Sequence, residues 1–209
     1  MAADSAPSNA VAVDLRDPAI AALLAWLVPG LGHWYQRRRA KAILFFVCIM
    51  GLFAWGVALS SSDQPCREGG AKIGVGRAVY FAWSKDDHHL PYLCQIGVGL
   101  PALPALVQTS RMSNHQAVWW GGFMAPPWPN EQVRQGVNNV WVRTSRDEAD
   151  EPNFGQPTLD DLNRRLHRYF DLATFFTMVA GLLNVLAIYD ACAGPVLMPA
   201  SEKKEETPA

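Results

Sequence analysis

Four stretches of this chain contain no Asp, Glu, Lys or Arg: Pro18–Gln36, Ala42–Ser62, Leu90–Ser110 and Leu172–Tyr189, each 18 to 21 residues long. At ~1.5 Å per residue, a helix of that length measures roughly 27–32 Å. The hydrocarbon core of a bilayer is ~30 Å thick. Only 18% of the 209 residues are charged, and they crowd between these stretches. A soluble helix normally keeps a polar stripe facing water, and the second and fourth stretches have none. The expected fold is therefore an all-α membrane protein with about four transmembrane helices, embedded in a cell membrane.

The organisation follows from that frame. Residues 1–17 hold Asp4, Asp14 and Asp17 against Arg16. They form no basic leader and are expected to be a disordered arm, with the first apolar stretch retained as a span. Residues 18–60 form a helical hairpin: span one is Ala19–Tyr35, span two Ala42–Ser60, and the turn between them is Arg37-Arg38-Arg39-Ala40-Lys41. Pro29, Gly30 and Gly32 interrupt the second half of span one. Proline frees a carbonyl and kinks a helix, so a re-entrant half-helix is the alternative there. Span two carries Gly51, Ala54, Gly56 and Ala58, small residues that let membrane helices approach closely.

Residues 61–89 form an extracytoplasmic loop, and 90–110 a third span kinked by Gly97, Gly99, Pro101 and Pro104. Residues 111–171 form a cytoplasmic or interfacial loop. Its uncharged part, Ala117–Pro129, is too short and too rich in Gly and Pro to span; its tryptophans suit the headgroup layer. Val137–Thr144 has weak strand character. Thr158 and Asp161 have capping-box spacing and open an amphipathic helix over 158–170. Its face of Leu159, Leu162, Leu166, Tyr169 and Phe170 is expected on the membrane surface or, equally, on protein loops. Span four occupies 172–190, and 191–209 is a charged tail. Cytoplasmic loops are enriched in Lys and Arg, so Arg37, Arg38, Arg39 and Lys41 place the first turn in the cytoplasm and the N-terminus outside.

The run Pro29-Gly30-Leu31-Gly32-His33-Trp34-Tyr35, followed by basic residues and a second apolar stretch, resembles the hairpin of the two-transmembrane-helix domain family. The match covers roughly residues 18–60. Beyond it, QIGVGLPALPALVQ (95–108), LNRRLHRYFD (162–171) and FTMVAGLLNVLAIYDACAGP (176–195) resemble an uncharacterised family of bacterial multi-pass membrane proteins. The resemblance implies topology and supplies no activity. It also exposes one departure: Arg37 stands where the hairpin usually has glycine.

Polar residues inside a bilayer are costly and often functional. The candidate positions are His33, Gln95, Asn184 and Asp190. Asn184 and Gln95 are expected to hydrogen-bond between helices. Asp190 closes span four at the end that disfavours an anion. Four crossings put His33 and Asp190 at opposite faces, so the two are expected not to pair, which disfavours a lipid-modifying enzyme using them as acid and base. Asp86-Asp87-His88-His89 has metal-ligand residue types without the usual spacing. No nucleotide, zinc-protease or nucleophile motif is present, so neither catalysis, nor a cofactor, nor a metal is expected. The net charge of -1 argues against a nucleic-acid partner, which needs a basic footprint. The cysteines are too few for a disulfide framework; Cys48, Cys94 and Cys192 are expected to be small buried residues. The expected function is a non-enzymatic envelope scaffold or accessory subunit, as a homo-oligomer or with a membrane-protein partner; a small transporter or channel subunit is the alternative.

Overall fold

A computed structural model describes residues 17–65, 72–83, 89–128, 133–135, 141–143 and 156–193. The arm over 1–16, Cys66, Asp86 to His88 and the tail over 194–209 lie outside them. Among the described residues there are seven α-helices: α1 (Pro18–Leu27), α2 (Leu31–Tyr35), α3 (Arg39–Leu59), α4 (Pro91–Gln95), α5 (Pro104–Ser113), α6 (Leu159–Leu166) and α7 (Arg168–Ala193). Two short antiparallel strand pairs join them: β1 (Ser62–Pro65) with β2 (Lys72–Gly74), and β3 (Val133–Gln135) with β4 (Trp141–Arg143). Strand β4 falls within the segment expected to have strand character.

Two helices, α3 and α7, are long and apolar enough to cross a membrane. With 21 and 26 residues they measure about 31 and 39 Å. They pack antiparallel. Lys41 at the start of α3 meets Asp190 near the end of α7, and Gly56 near the end of α3 lies against Ala173 and Thr177 near the start of α7. The buried stripe of α7 consists largely of small residues: Ala173, Thr177, Ala180, Gly181, Asn184, Ala187 and Ala191. Small side chains spaced three and four apart let other backbones approach the helix closely.

The other two charge-free stretches are not continuous helices. The first breaks at Pro29-Gly30, where Gly30 is left-handed at φ 84°. Helix α1 starts beside the end of α7, with Pro18 near Cys192. Ten residues carry it about 15 Å, as far as Asn184 at mid-length of α7. Helix α2 then turns back, with Gly32 against Ala21 of α1. The stretch is thus a broken helix that turns back on itself rather than one continuous helix. At Arg37 the backbone is left-handed (φ 63°), the conformation a glycine would take without strain.

The third stretch is α4, two 3-10 turns (Ile96–Val98 and Leu100–Ala102) and α5. It starts at the level of Thr177, which Gln95 contacts, and reaches Asn184 through the Gly97 carbonyl. There Gly99 (φ 85°) packs onto the Trp26 carbonyl so tightly that a Cβ would lie 1.7 Å from the oxygen. The chain then returns: Tyr92 Oη donates to Ala102 O at 2.9 Å, and Thr109 donates to Phe81 O. Pro101 and Pro104 lack the N–H groups that a continuous helix would need. Two broken hairpins thus start from opposite ends of the α3/α7 pair and meet near its middle.

This arrangement corrects the expected placement of the loops. The segments 61–89 and 111–171 were expected on opposite faces. Segments of both instead share one cap at the end of the pair where α3 stops and α7 starts. Ile73, Ala78 and Tyr80 share a core with Leu162, Leu166 and Phe170. The apolar face of the helix expected over 158–170 therefore packs on protein. That helix also ends at Leu166, because His167 takes φ 47°. Its capping box is present, with Thr158 and Asp161 bonded both ways. The tryptophan-rich segment is irregular as expected, with Trp119 and Trp120 exposed and Arg111 4.1 Å from the Trp119 ring centroid. The three described cysteines are free; Cys94 and Cys192 are half-buried and Cys48 is exposed, contrary to the burial expected for all three.

Close approach at Gly181 gives a sharp test. A Cβ there would sit 1.9 Å from the Cys94 carbonyl oxygen, whereas one at Gly51 would meet nothing within 4 Å. Overpacking of this kind costs about 1–3 kcal/mol. Gly181→Ala is expected to lower the thermal midpoint measured in detergent by several degrees, and Gly51→Ala to leave it unchanged or slightly raised. Equal midpoints for the two variants would contradict the packing described.

Candidate functional site

Helix α7 carries polar groups at three levels, and each one ties a different segment to it. At the cap end, buried Gln95 donates through Nε2 to Thr177 Oγ1 and to Ala78 O, both at 2.9 Å. At mid-length, buried Asn184 donates through Nδ2 to Ala25 O at 3.1 Å and to Gly97 O at 2.8 Å. Those carbonyls belong to the last turn of α1 and to the turn that follows α4. A helix end leaves its last carbonyls without intrahelical partners. One amide group therefore caps both broken hairpins where they meet. Gln95 Oε1 and Asn184 Oδ1 are buried without a donor.

At the far end of α7, His33 and Asp190 pair. His33 is fully buried, and its Nε2 lies 2.8 Å from Asp190 Oδ2. A carboxylate only accepts, so Nε2 carries the proton and donates it. Lys41 Nζ donates to the same oxygen at 3.0 Å. Asp190 is 30% exposed and Lys41 48%. Gln36 donates to Ala191 O, fixing the chain after α2 onto α7. This contact overturns the expectation that His33 and Asp190 lie apart. That expectation counted the third stretch as a crossing, which reversed the direction assigned to α7. Because the stretch turns back on itself, α2 and the end of α7 share one end of the bundle. The helix-end penalty at Asp190 is offset by two donors.

Of the turn residues, Arg39 lies 5.8 Å from the Trp34 ring centroid, and Arg38 starts α3 without a side-chain cap. In the cap, His89 is buried and stacks on Tyr80 at 3.8 Å between ring centroids. Burial pushes its imidazole down to about 4, so it is neutral at pH 7. Among the described residues, no group of three or more His, Cys, Asp or Glu is placed to hold a metal.

Sequence reasoning missed two organising residues. Buried Arg77 donates to Ile73 O, to Ala125 O at 3.3 Å and to Gln156 Oε1 at 2.6 Å, knitting three loop segments together. Gln108 donates to Trp119 O and Phe123 O and accepts from Trp119 N, clamping the tryptophan segment. Arg77 lies between Gly74-Val75-Gly76 and an apolar run, but nothing local marks either residue as buried. Apart from Ile73, their partners are 11 to 79 positions away.

What these contacts define is a helical protein in which a long antiparallel pair clasps two opposed broken hairpins through buried amides. The chain belongs to a family of unknown function (DUF6677), whose match covers residues 20–204. No curated protein and no solved structure matches it.

The ion pairs are testable by stability. Asp190→Ala leaves the buried His33 Nε2–H without an acceptor, which costs about 1–3 kcal/mol. Lys41→Ala removes a half-exposed partner worth less than about 1 kcal/mol. Denaturation in detergent is expected to rank wild type and Lys41→Ala close together and Asp190→Ala clearly below. The reverse order would mean that His33 does not depend on Asp190.

Proposed function

We propose that this protein is a multi-pass integral protein of a bacterial cell membrane that acts without catalysis, as a scaffold or accessory subunit associating laterally with other membrane helices. One observation carries the membrane reading. The outward faces of α3 and α7 are large and apolar, while the amides are inside. Ile43, Leu44, Phe46, Val47 and Trp55 are exposed on α3, and Leu172, Phe175, Leu182, Val185 and Leu186 on α7. Asn184, Gln95, Thr177 and His33 are fully buried. Water would penalise that distribution strongly, since exposed apolar patches of soluble proteins rarely exceed a few hundred Å². Lipid would favour it.

Positive charge supports the orientation. Arg37, Arg38, Arg39 and Lys41 sit at the end where α1 starts and α7 finishes, so that end is assigned to the cytoplasm. The cap then lies on the opposite face, and both hairpins are re-entrant. Lateral association is supported by α3, where Gly51, Ala54 and Ala58 form an exposed small-residue face; small residues drive close contact between membrane helices. Catalysis is disfavoured by the burial of His33 and by the engagement of Asp190 with two donors.

Carbonate extraction of expressing membranes is expected to leave the protein in the pellet; release into the supernatant would overturn the membrane reading. Crosslinking in those membranes is expected to trap a larger species, and Gly51→Leu to reduce it severalfold while the protein stays folded. A monomer in wild type under every condition would remove the scaffold reading.

One observation favours transport as a second reading. Two half-helix ends converge on Asn184, and ends of this kind bind ions in transporters built from broken helices. Liposomes containing the purified protein would then show ion or solute flux that Asn184→Leu abolishes. Flux equal to that of empty liposomes would exclude the reading.

A further inference from the structure

Between Leu90 and Asn130 the only Asp, Glu, Lys or Arg is Arg111. It lies in the last turn of α5, where its Nε donates to Ala117 O at 2.9 Å. Its Cζ stands 4.1 Å from the centroid of the Trp119 ring. Neither contact uses the two terminal nitrogens of the guanidinium. They meet no acceptor among the described residues, and they are open to the surroundings, whereas those of Arg38 are buried without a partner. A guanidinium cannot shed its charge, so the fork of donors on Arg111 is free to take an anion from outside the chain.

The tryptophans beside it are held outward. Gln108 is fully buried; it donates to Trp119 O and Phe123 O and accepts from Trp119 N. Between those two anchor points the backbone is left-handed at Trp120 (φ 49°), Gly121 (φ 64°) and Gly122 (φ 82°). A positive φ is strained for a bulky residue, and such strain persists only where the surroundings impose it. Here it leaves Trp120 65% exposed and Trp119 46% exposed, with their rings edge to face and the centroids 5.8 Å apart. Water disfavours two indoles displayed in this way. The headgroup layer of a bilayer favours them, because the ring is apolar and its N–H finds an oxygen there.

The same face continues into apolar surface. Leu103, Val107 and Arg111 recur at the four-residue spacing that lines one side of a helix, and Val107 is exposed. Helix α5 returns to the cap, where Thr109 donates to Phe81 O. An apolar face therefore runs along α5 to a single cation flanked by indoles. Hydrocarbon gives way to phosphate in the same order at a bilayer surface.

We propose that Arg111, Trp119 and Trp120 dock onto the phospholipid headgroups of the leaflet on the cap side, with the terminal nitrogens of Arg111 on a lipid phosphate and the two indoles beside it. The surface rests on the membrane reading and adds to it the contact that holds the second hairpin at its outer end. Arginine grips phosphate through two parallel bonds. Its long stem lets the charge reach the headgroups while the methylenes stay against apolar surface.

The test uses the full chain in phosphatidylcholine nanodiscs, made with or without lipids brominated just below the headgroup. The fluorescence lost in Trp120→Phe relative to wild type reports on Trp120. That difference emission is expected to be quenched by the brominated lipid. Indifference to brominated lipid overturns the proposal: quenching by aqueous iodide would then put the indole in water, and quenching by neither agent would put it against another protein.

Arg111→Gln separates the phosphate contact from the bonds within the chain. Its thermal midpoint is expected to fall by several degrees in the nanodiscs and to match wild type in maltoside detergent, whose headgroup carries no phosphate. An equal fall in both media would mean that Arg111 serves only Ala117 O and the Trp119 ring, and overturns the phosphate contact. If Arg111→Gln fails to fold, Arg111→Lys, which keeps the charge and loses the two parallel bonds, is compared in the same two media and read in the same way. Carbonate extraction of expressing membranes separates the two levels. A pelleted protein whose Trp120 ignores brominated lipid defeats this surface alone, and a protein released into the supernatant defeats the membrane reading beneath it.

Discussion

The side-chain amide of Asn184 is the contact on which the arrangement turns. A helix interrupted inside a packed bundle leaves carbonyls that no water reaches, and each unpaired one carries a desolvation cost of about 1–3 kcal/mol. This chain interrupts two such helices and brings both breaks to the same level of α7. One NH2 group then satisfies Ala25 O and Gly97 O together. The amide supplies two donors, and both are used. A leucine there would supply none, and an aspartate would present acceptors to acceptors. The small residues around it, Ala180, Gly181 and Ala187, keep α7 thin enough for both hairpins to reach that level.

The remaining polar contacts extend the same logic towards the ends. Gln95 with Thr177 pins the returning hairpin near the cap, and His33 with Asp190 pins the first hairpin at the basic end. Because each tie joins a broken segment to the same long helix, α7 acts as a spine and α3 completes the pair. The cap is organised differently, by the buried guanidinium of Arg77 and by an apolar cluster from three segments. Arg77 holds three of its segments by charge-assisted bonds to carbonyl oxygens, which are stronger than bonds between neutral groups.

The pairing of His33 with Asp190 shows where a count of apolar stretches misleads. Length and absence of charge marked four stretches, of which two are continuous helices long and apolar enough to cross a membrane, and Pro29, Gly30, Gly97, Gly99, Pro101 and Pro104 lie where the other two break. What those residues do not state is the angle at which the chain leaves each break. A kink and a reversal require the same prolines and glycines. Choosing the kink for the third stretch inverted α7, separated two residues that touch, and split one cap into two loops on opposite faces. Asn184 and Gln95 were legible as interhelical donors because an amide in an apolar run has few other roles. Arg77 and Gln108 were not, because polar residues beside Gly-rich loops read as solvated until their distant acceptors are known.

Sequence alone determined the helical class, the two long apolar helices, the capping box at Thr158 and Asp161, and which buried positions had to find hydrogen-bond partners. These are local properties: they follow from charge-free length, side-chain spacing and the missing N–H of proline. Tertiary structure alone decided that two stretches double back, that His33 and Asp190 meet, that Arg37 adopts a glycine-like backbone, and that Arg38 is left with donors to spare. The physical reason is range. A broken helix takes its direction from the partner that satisfies its free carbonyls, and here that partner, Asn184, lies 159 residues from one break and 87 from the other.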